Sequence, residues 1–187
     1  MYASTDIFIF MNSDVILANN CLEALIEPLS RDEIDSVQPL LIYPQNMTTQ
    51  STGHVFCRYH NTHLFENRPI TDNIVKQPDY RKAFTTALCS IKKKTFVTYG
   101  GFNEKYFNAW EGMELGLKIT LNGGKCYYNP LAKAFHIRGG GRNQYKIDET
   151  SQSAYFWSQW SDRNTENLSE VLNKQLKDLI HSNTNDY

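Results

Sequence analysis

The chain has 187 residues, a length that suits one domain and is short for two. Its 19 lysines and arginines against 20 aspartates and glutamates leave a net charge of −1, which argues against a strongly basic nucleic-acid binder. The 41% apolar fraction fits a globular core rather than a disordered chain, and the longest apolar run, Ile7 to Met11, is far below the roughly 20 residues of a membrane span.

Asp6 to Met11 is β-prone and apolar on both faces, so it predicts a buried central strand of a parallel sheet. Such a strand needs neighbours on both sides. They are expected from later in the chain or from a segment ahead of Met1. Asn19 and Asn20 are candidate caps for a helix carrying Leu22, Leu25, Ile26 and Leu29, which ends near Pro28 and Ser30. Ser36 to Tyr43 predicts a strand, and Ser51 to Tyr59 a short one opening at Gly53. Asn61 to Tyr80, with two prolines and little periodicity, predicts a long functional loop.

Phe84 to Ile91 is another β-like run, and Lys92 to Val97 a short helix ended by Gly100 and Gly101. Asn108 to Asn122 predicts a helix with Met113, Leu117 and Leu121 on one face. Lys125 to Tyr128 and Ala132 to Ile137 are expected as two short strands around Asn129-Pro130, and the tail from about Asp148 to Ile180 as helix. Strands alternating with helices give an α/β class, divided here into a core over 1–147 and a helical tail over 148–187.

The four cysteines have no CxxC spacing and no secretory leader precedes them, so free, mostly buried thiols in a reducing, cytoplasmic setting are expected. Two glycosylation sequons, at Asn46 and Asn167, are then chance matches. The 13% aromatic content fits core packing first and sugar or nucleoside sites second.

Three motifs carry potential chemistry. Asn12-Ser13-Asp14 follows a strand, where a carboxylate can hold a hard cation and through it phosphate oxygens; the same residues also suit a plain turn. Glu111 and Glu114, three apart at a helix start, share a face, and either is a candidate general base; acidic residues also favour first turns for the helix dipole alone. His136 at a strand end is a candidate metal ligand, with Arg138 and Arg142 as candidate diphosphate partners. His54, His60, His63 and His181 lack partner spacing, and a surface role is expected for His60 and His63.

The order of these motifs resembles family 2 glycosyltransferases of the GT-A fold, rhamnosyltransferase-like members in particular. Asp6 to Asp14 resembles the strand leading to the family's Asp-x-Asp-type metal motif, here Asn-x-Asp. Val37 to Leu40, Gln50 to Gly53 and Ala83 to Leu88 resemble later strands and a hairpin. Tyr99 to Phe107 is similar to the Gly-Gly-Phe-Asp-Glu-x-Phe segment, and Trp110 to Lys118 to the Glu-Asp-x-Asp-Leu helix. Gly124 to His136 resembles the segment ending in the family's C-terminal histidine. The match covers roughly residues 3 to 142.

The resemblance implies a partial GT-A mixed sheet flanked by helices, and an inverting transfer from a nucleotide-sugar donor to a glycan or lipid-linked acceptor. Mn²⁺ or Mg²⁺ would sit on Asp14 with His136 as second ligand. Asn12, Asp14, Arg138 and Arg142 would serve the donor diphosphate, Thr86 and Trp110 the acceptor side, and Glu111 or Glu114 the base. Two departures stand out: Gly112 occupies the family's usual base position, and the family's N-terminal nucleotide-binding strands have no counterpart before Met1. Those strands are expected from a longer chain, a second copy or a partner chain. The rival reading is a non-catalytic remnant acting as a glycan-binding or partner subunit. A nucleotidyltransferase is a third, disfavoured by the Gly-Gly-Phe segment. The expected location is the cytoplasm, with the inner membrane face open as a peripheral docking place.

Overall fold

A computed structural model of the protein describes residues 4–57, 60–107, 109–137, 149–161 and 173. Its centre is a seven-stranded mixed sheet in the order β1-β8-β3-β9-β2, with β4 paired to β3 and β7 to β9. The strands are β1 (Ile7–Met11), β2 (Val15–Leu17), β3 (Ser36–Tyr43), β4 (Thr48–Ser51), β7 (Asp79–Arg81), β8 (Leu88–Lys92) and β9 (Cys126–His136). β5 (His54–Cys57) and β6 (His60–His63) form a separate antiparallel hairpin. The helices are α1 (Cys21–Ile26), continued by a 3-10 turn over Glu27–Ser30, then α2 (Lys93–Thr98), α3 (Glu111–Leu121) and α4 (Glu149–Trp160).

β3 is the spine. It runs parallel to β9 and antiparallel to β8 and β4, and seven of its eight residues are buried. Side chains of β8 alternate as a strand covered on both faces requires: Leu88 packs with Leu25, Leu29 and Val37 on the α1 side, and Cys89 and Ile91 with Leu115 and Ile119 on the α3 side. Phe8, Phe10, Phe96 and Phe102 close the α3 side as an edge-to-face aromatic cluster.

Four expectations need correction. β1 lies at the end of the sheet path with β8 as its one described neighbour, antiparallel, and Ile9 and Met11 are 37% and 52% exposed. Among the described residues its apolar run thus pairs antiparallel and stands last in the sheet, rather than in a parallel pairing. β9 is a single strand of 11 residues. It passes Asn129-Pro130 through a bulge opposite Pro39–Leu40, because two prolines that cannot donate are accommodated by shifting register rather than by ending the strand. The predicted loop from Asn61 overlaps β6 and ends in β7. Asn20 heads α1 in a left-handed conformation with φ 59° and makes no side-chain cap.

Two glycines explain how α3 lies so close to the chain before β8. A Cβ on Gly116 would stand 2.6 Å from Ala83 Cα, and one on Gly112 would stand 2.7 Å from Thr86 Cγ2. Spaced one helical turn apart, they press the start of α3 onto residues 83–86. From the tail, Phe156, Trp157 and Trp160 of α4 pack with Phe56, Tyr106, Met113 and Leu117, so this stretch is continuous with the core.

Candidate active site

The sheet ends in a cleft of about 1210 Å³ whose walls include Asn12, Asp14 and His136 on one side and Thr86, Trp110 and Glu111 on another. The first group is assembled by strand pairing. β2 runs antiparallel to the end of β9, with Val15 opposite His136, and Ile137 N–H donates to Asp14 O at 3.0 Å. Two residues 122 positions apart thereby meet: Asp14 Oδ1 lies 3.3 Å from His136 Nε2, with side chains 21% and 12% exposed. The other ring nitrogen, Nδ1, is 2.6 Å from Gln50 Oε1. Asn12, exposed in the same wall, is pinned by its N–H to Ala87 O at 2.9 Å.

Among the described residues, no three His, Cys, Asp or Glu side chains converge as a metal cluster. Asp14 and His136 offer two donors, a hard oxygen and an imidazole nitrogen. That pair suits a divalent cation of the Mn²⁺ or Mg²⁺ kind, whose remaining positions are commonly filled by phosphate oxygens and water.

The two glutamates, one turn apart at the start of α3, meet different surroundings. Glu111 opens α3 in the cleft wall, where its Oε1 accepts the Thr86 hydroxyl at 2.6 Å and its Oε2 is enclosed without a hydrogen-bond partner. Glu114 is buried away from the cleft. Its carboxylate accepts from Lys118 at 3.1 Å and from Asn103 Nδ2 at 2.9 Å. The i,i+4 pairing of Glu114 with Lys118 was legible in the sequence as a reason for its pointing elsewhere. Trp110, before the helix, takes a left-handed φ of 73° and lays its ring 4.7 Å from Phe156 while lining the cleft. Such strain in a bulky residue persists only where surrounding packing holds it.

The β5–β6 hairpin supplies a wall that the histidine spacing concealed. His54 and His63 face each other across the hairpin with ring centroids 4.5 Å apart, and both line the cleft, as does His60. Burial, with His63 beside it, holds His54 well below the ordinary imidazole range, so it is neutral. Ser51 Oγ accepts from Gln38 Nε2 and Gly53 N–H and lies 2.9 Å from His63 Nδ1. His60 is exposed, as a surface role expects, and His63 is half-buried; both line the cleft. All four cysteines are free. Burial pushes the Cys21 thiol up to about 11 and the Cys126 thiol up to about 12, which leaves no thiolate there for nucleophilic chemistry. Arg138 and Arg142 lie outside the described residues.

The family model for glycosyl transferase family 2 matches residues 1–96, just over half of the chain. The chain belongs to that family. The family 2 chain is 22% identical over 160 residues to the O-antigen biosynthesis protein RfbC of Myxococcus xanthus, covering 79% of this chain and 12% of that protein. It is 26% identical over 188 residues to N-acetylgalactosaminyltransferase 6 of Drosophila melanogaster, covering 96% of this chain and 27% of that one. It therefore spans less than a third of the length of these relatives. Among solved structures it is similar to GalNAc-T7 crystallised with UDP, GalNAc and Mn²⁺, with a TM-score of 0.54 and 19% identity over 70% of this chain and 27% of that chain. This likeness bears on the fold, and it agrees with a GT-A-like mixed sheet flanked by helices. Among the described residues, no helix of the family 2 chain is long and apolar enough to cross a membrane.

Proposed function

We propose that this chain carries the acceptor side and the cation-binding side of a glycosyltransferase. It would move a sugar from a nucleotide-sugar donor to a hydroxyl of a glycan or lipid-linked acceptor, with inversion. The observation that carries the reading is one cleft holding both an Asp–His pair and a glutamate with one unsatisfied oxygen. Family membership supports it, as does the structural neighbour that was solved with UDP, GalNAc and Mn²⁺.

In this reading Asp14 and His136 would hold a divalent cation, which would supply positive charge to the donor diphosphate. Asn12 stands beside them as a polar contact for the same group. Thr86 fixes the Glu111 carboxylate through Oε1. The Glu111 carboxylate, in the wall of the cleft, would take the proton of the acceptor hydroxyl as that oxygen bonds to the anomeric carbon. The bond from that carbon to the diphosphate oxygen breaks, and its electron pair leaves with the nucleoside diphosphate. Trp110, and Phe107 at 71% exposure, offer apolar faces for the acceptor sugar.

The test is incubation of the complete chain with Mn²⁺, a panel of UDP-, GDP- and dTDP-sugars, and glycan and lipid-linked acceptors, read by mass spectrometry. At least one donor should yield an acceptor heavier by one sugar, together with free nucleoside diphosphate. Glycan binding without donor consumption across the panel would favour the non-catalytic rival.

A further inference from the structure

We propose that Gln152 is a positioning residue for acceptor recognition: it holds the backbone of Phe107 so that the Phe107 ring stands in the cleft as an apolar platform for the acceptor saccharide. The proposal deepens the transfer reading and rests on its placing of the acceptor beside Glu111. Gln152 lies on α4, 45 positions from Phe107 in sequence, and is 8% exposed. Its Oε1 accepts the Phe107 N–H at 2.8 Å. A backbone N–H only donates, so the amide oxygen must be the atom that faces it.

Phe107 and its neighbour Tyr106 meet different surroundings. Tyr106 is buried, with its ring 5.4 Å from that of Tyr155 on α4. Phe107 is 71% exposed and lines the cleft. A lone apolar side chain on a convex surface needs no explanation, whereas an aromatic ring in a cleft beside a few polar groups suits a ligand. A pyranose ring presents C–H bonds on a face and hydroxyls around its rim. An aromatic ring can cover the face, and Thr150 and Ser153 of α4, which line the same cleft, offer hydroxyls for the rim.

The backbone next to Phe107 needs a hold from outside. Ala109 and Trp110 have φ of 156° and 73°, conformations that residues with a side chain rarely adopt. Such a stretch keeps one shape only where its surroundings over-determine it. Three residues of α4 do so: Gln152 at the Phe107 N–H, Tyr155 at Tyr106, and Phe156 at Trp110 with ring centroids 4.7 Å apart. Spaced i, i+3 and i+4, they share one side of the helix. The two ring contacts steady Tyr106 and Trp110, and Gln152 grips Phe107 itself. Without that grip the Phe107 ring samples more poses, and ordering it on binding lowers affinity.

The test uses the complete, ¹⁵N-labelled chain. Hydrogen exchange at the Phe107 amide reads the grip. Saturation-transfer NMR with the methyl α- and β-pyranosides of glucose, galactose, mannose and N-acetylglucosamine reads the platform. At least one glycoside should bind the wild type, and Phe107→Ala should weaken it by about tenfold, the scale of one lost aromatic contact. Gln152→Leu should speed exchange at Phe107 by about tenfold and weaken the same glycoside severalfold. Gln152→Glu, which keeps an accepting oxygen at the same reach, should stay close to the wild type in both. Added to Phe107→Ala, Gln152→Leu should cause no further loss of glycoside binding, a non-additivity that a merely structural role would not give. The proposal is overturned by unchanged exchange in Gln152→Leu, by glycoside binding that is absent or indifferent to Phe107→Ala, or by a further loss in the double variant; sugar transfer then stands or falls on its own assay. Phe107-dependent binding in a chain that transfers no sugar sustains the platform and overturns the transfer reading.

Discussion

Glu111→Gln is expected to lower sugar transfer by about 10²–10⁴-fold while nucleotide-donor binding persists. The amide keeps the shape and can still accept the Thr86 hydroxyl at the position of Oε1, but it cannot take a proton at neutral pH. Glu114→Gln should instead leave the transfer rate near wild type. Its carboxylate serves Lys118 and Asn103 outside the cleft, so the loss should appear in thermal stability. The pair of variants separates a base from a structural carboxylate. Gly112→Asp, which writes in the family's usual base, is not expected to raise the rate. Its Cβ would stand 2.7 Å from Thr86 Cγ2 and 3.2 Å from Thr86 N, so the residue that orients Glu111 would have to move. A steep gain in Gly112→Asp, with both glutamine variants unchanged, would mark the chain as a degenerate transferase.

Asp14→Ala is expected to abolish stabilisation by Mn²⁺. A ligand that binds only the folded chain adds about 2.7 kcal/mol at a hundred times its dissociation constant, enough to read as a shift in melting temperature. The shift should be present in the wild type and lost in Asp14→Ala, because His136 alone leaves a single protein donor. Metal-dependent transfer should fall with it. A mutant that melts higher with Mn²⁺ to the same degree as the wild type would contradict the assignment of Asp14.

Local pattern carried much of the fold. Ser36 to Tyr43 reads as a strand and is one, because its apolar residues need cover on both faces and the centre of the sheet provides it. The helix before Gly100 and Gly101 ends where two glycines with φ of 79° and 69° can turn the chain. What was not legible depends on partners distant in sequence. The antiparallel pairing of β1 with β8 is set by which strand lies beside it, and its composition is silent on that. Asn129-Pro130 reads as a turn until Pro39 is placed opposite, where a bulge carries both.

The site divides in the same way. Asn12, Asp14, His136, Thr86, Trp110 and Glu111 were nameable from motif and order, and the strand pairing brings Asp14 to His136. Gln50 and the His54–His63 pair were not. Each acts through a cross-strand contact whose register is fixed by turns and bulges rather than by spacing along the chain. The choice between Glu111 and Glu114 lay in helix geometry: the second has Lys118 one turn on, and the first has none.

The central claim is a single displacement with Glu111 as the base, and the configuration of the product tests it most directly. Proton NMR of the transferred sugar, recorded before mutarotation or further reaction, reports the anomeric coupling. From an α-linked nucleotide-sugar donor the product should be β-linked. An α-linked product would require a different route to the anomeric carbon, one in which a base on the acceptor side is not sufficient, and would contradict the assignment.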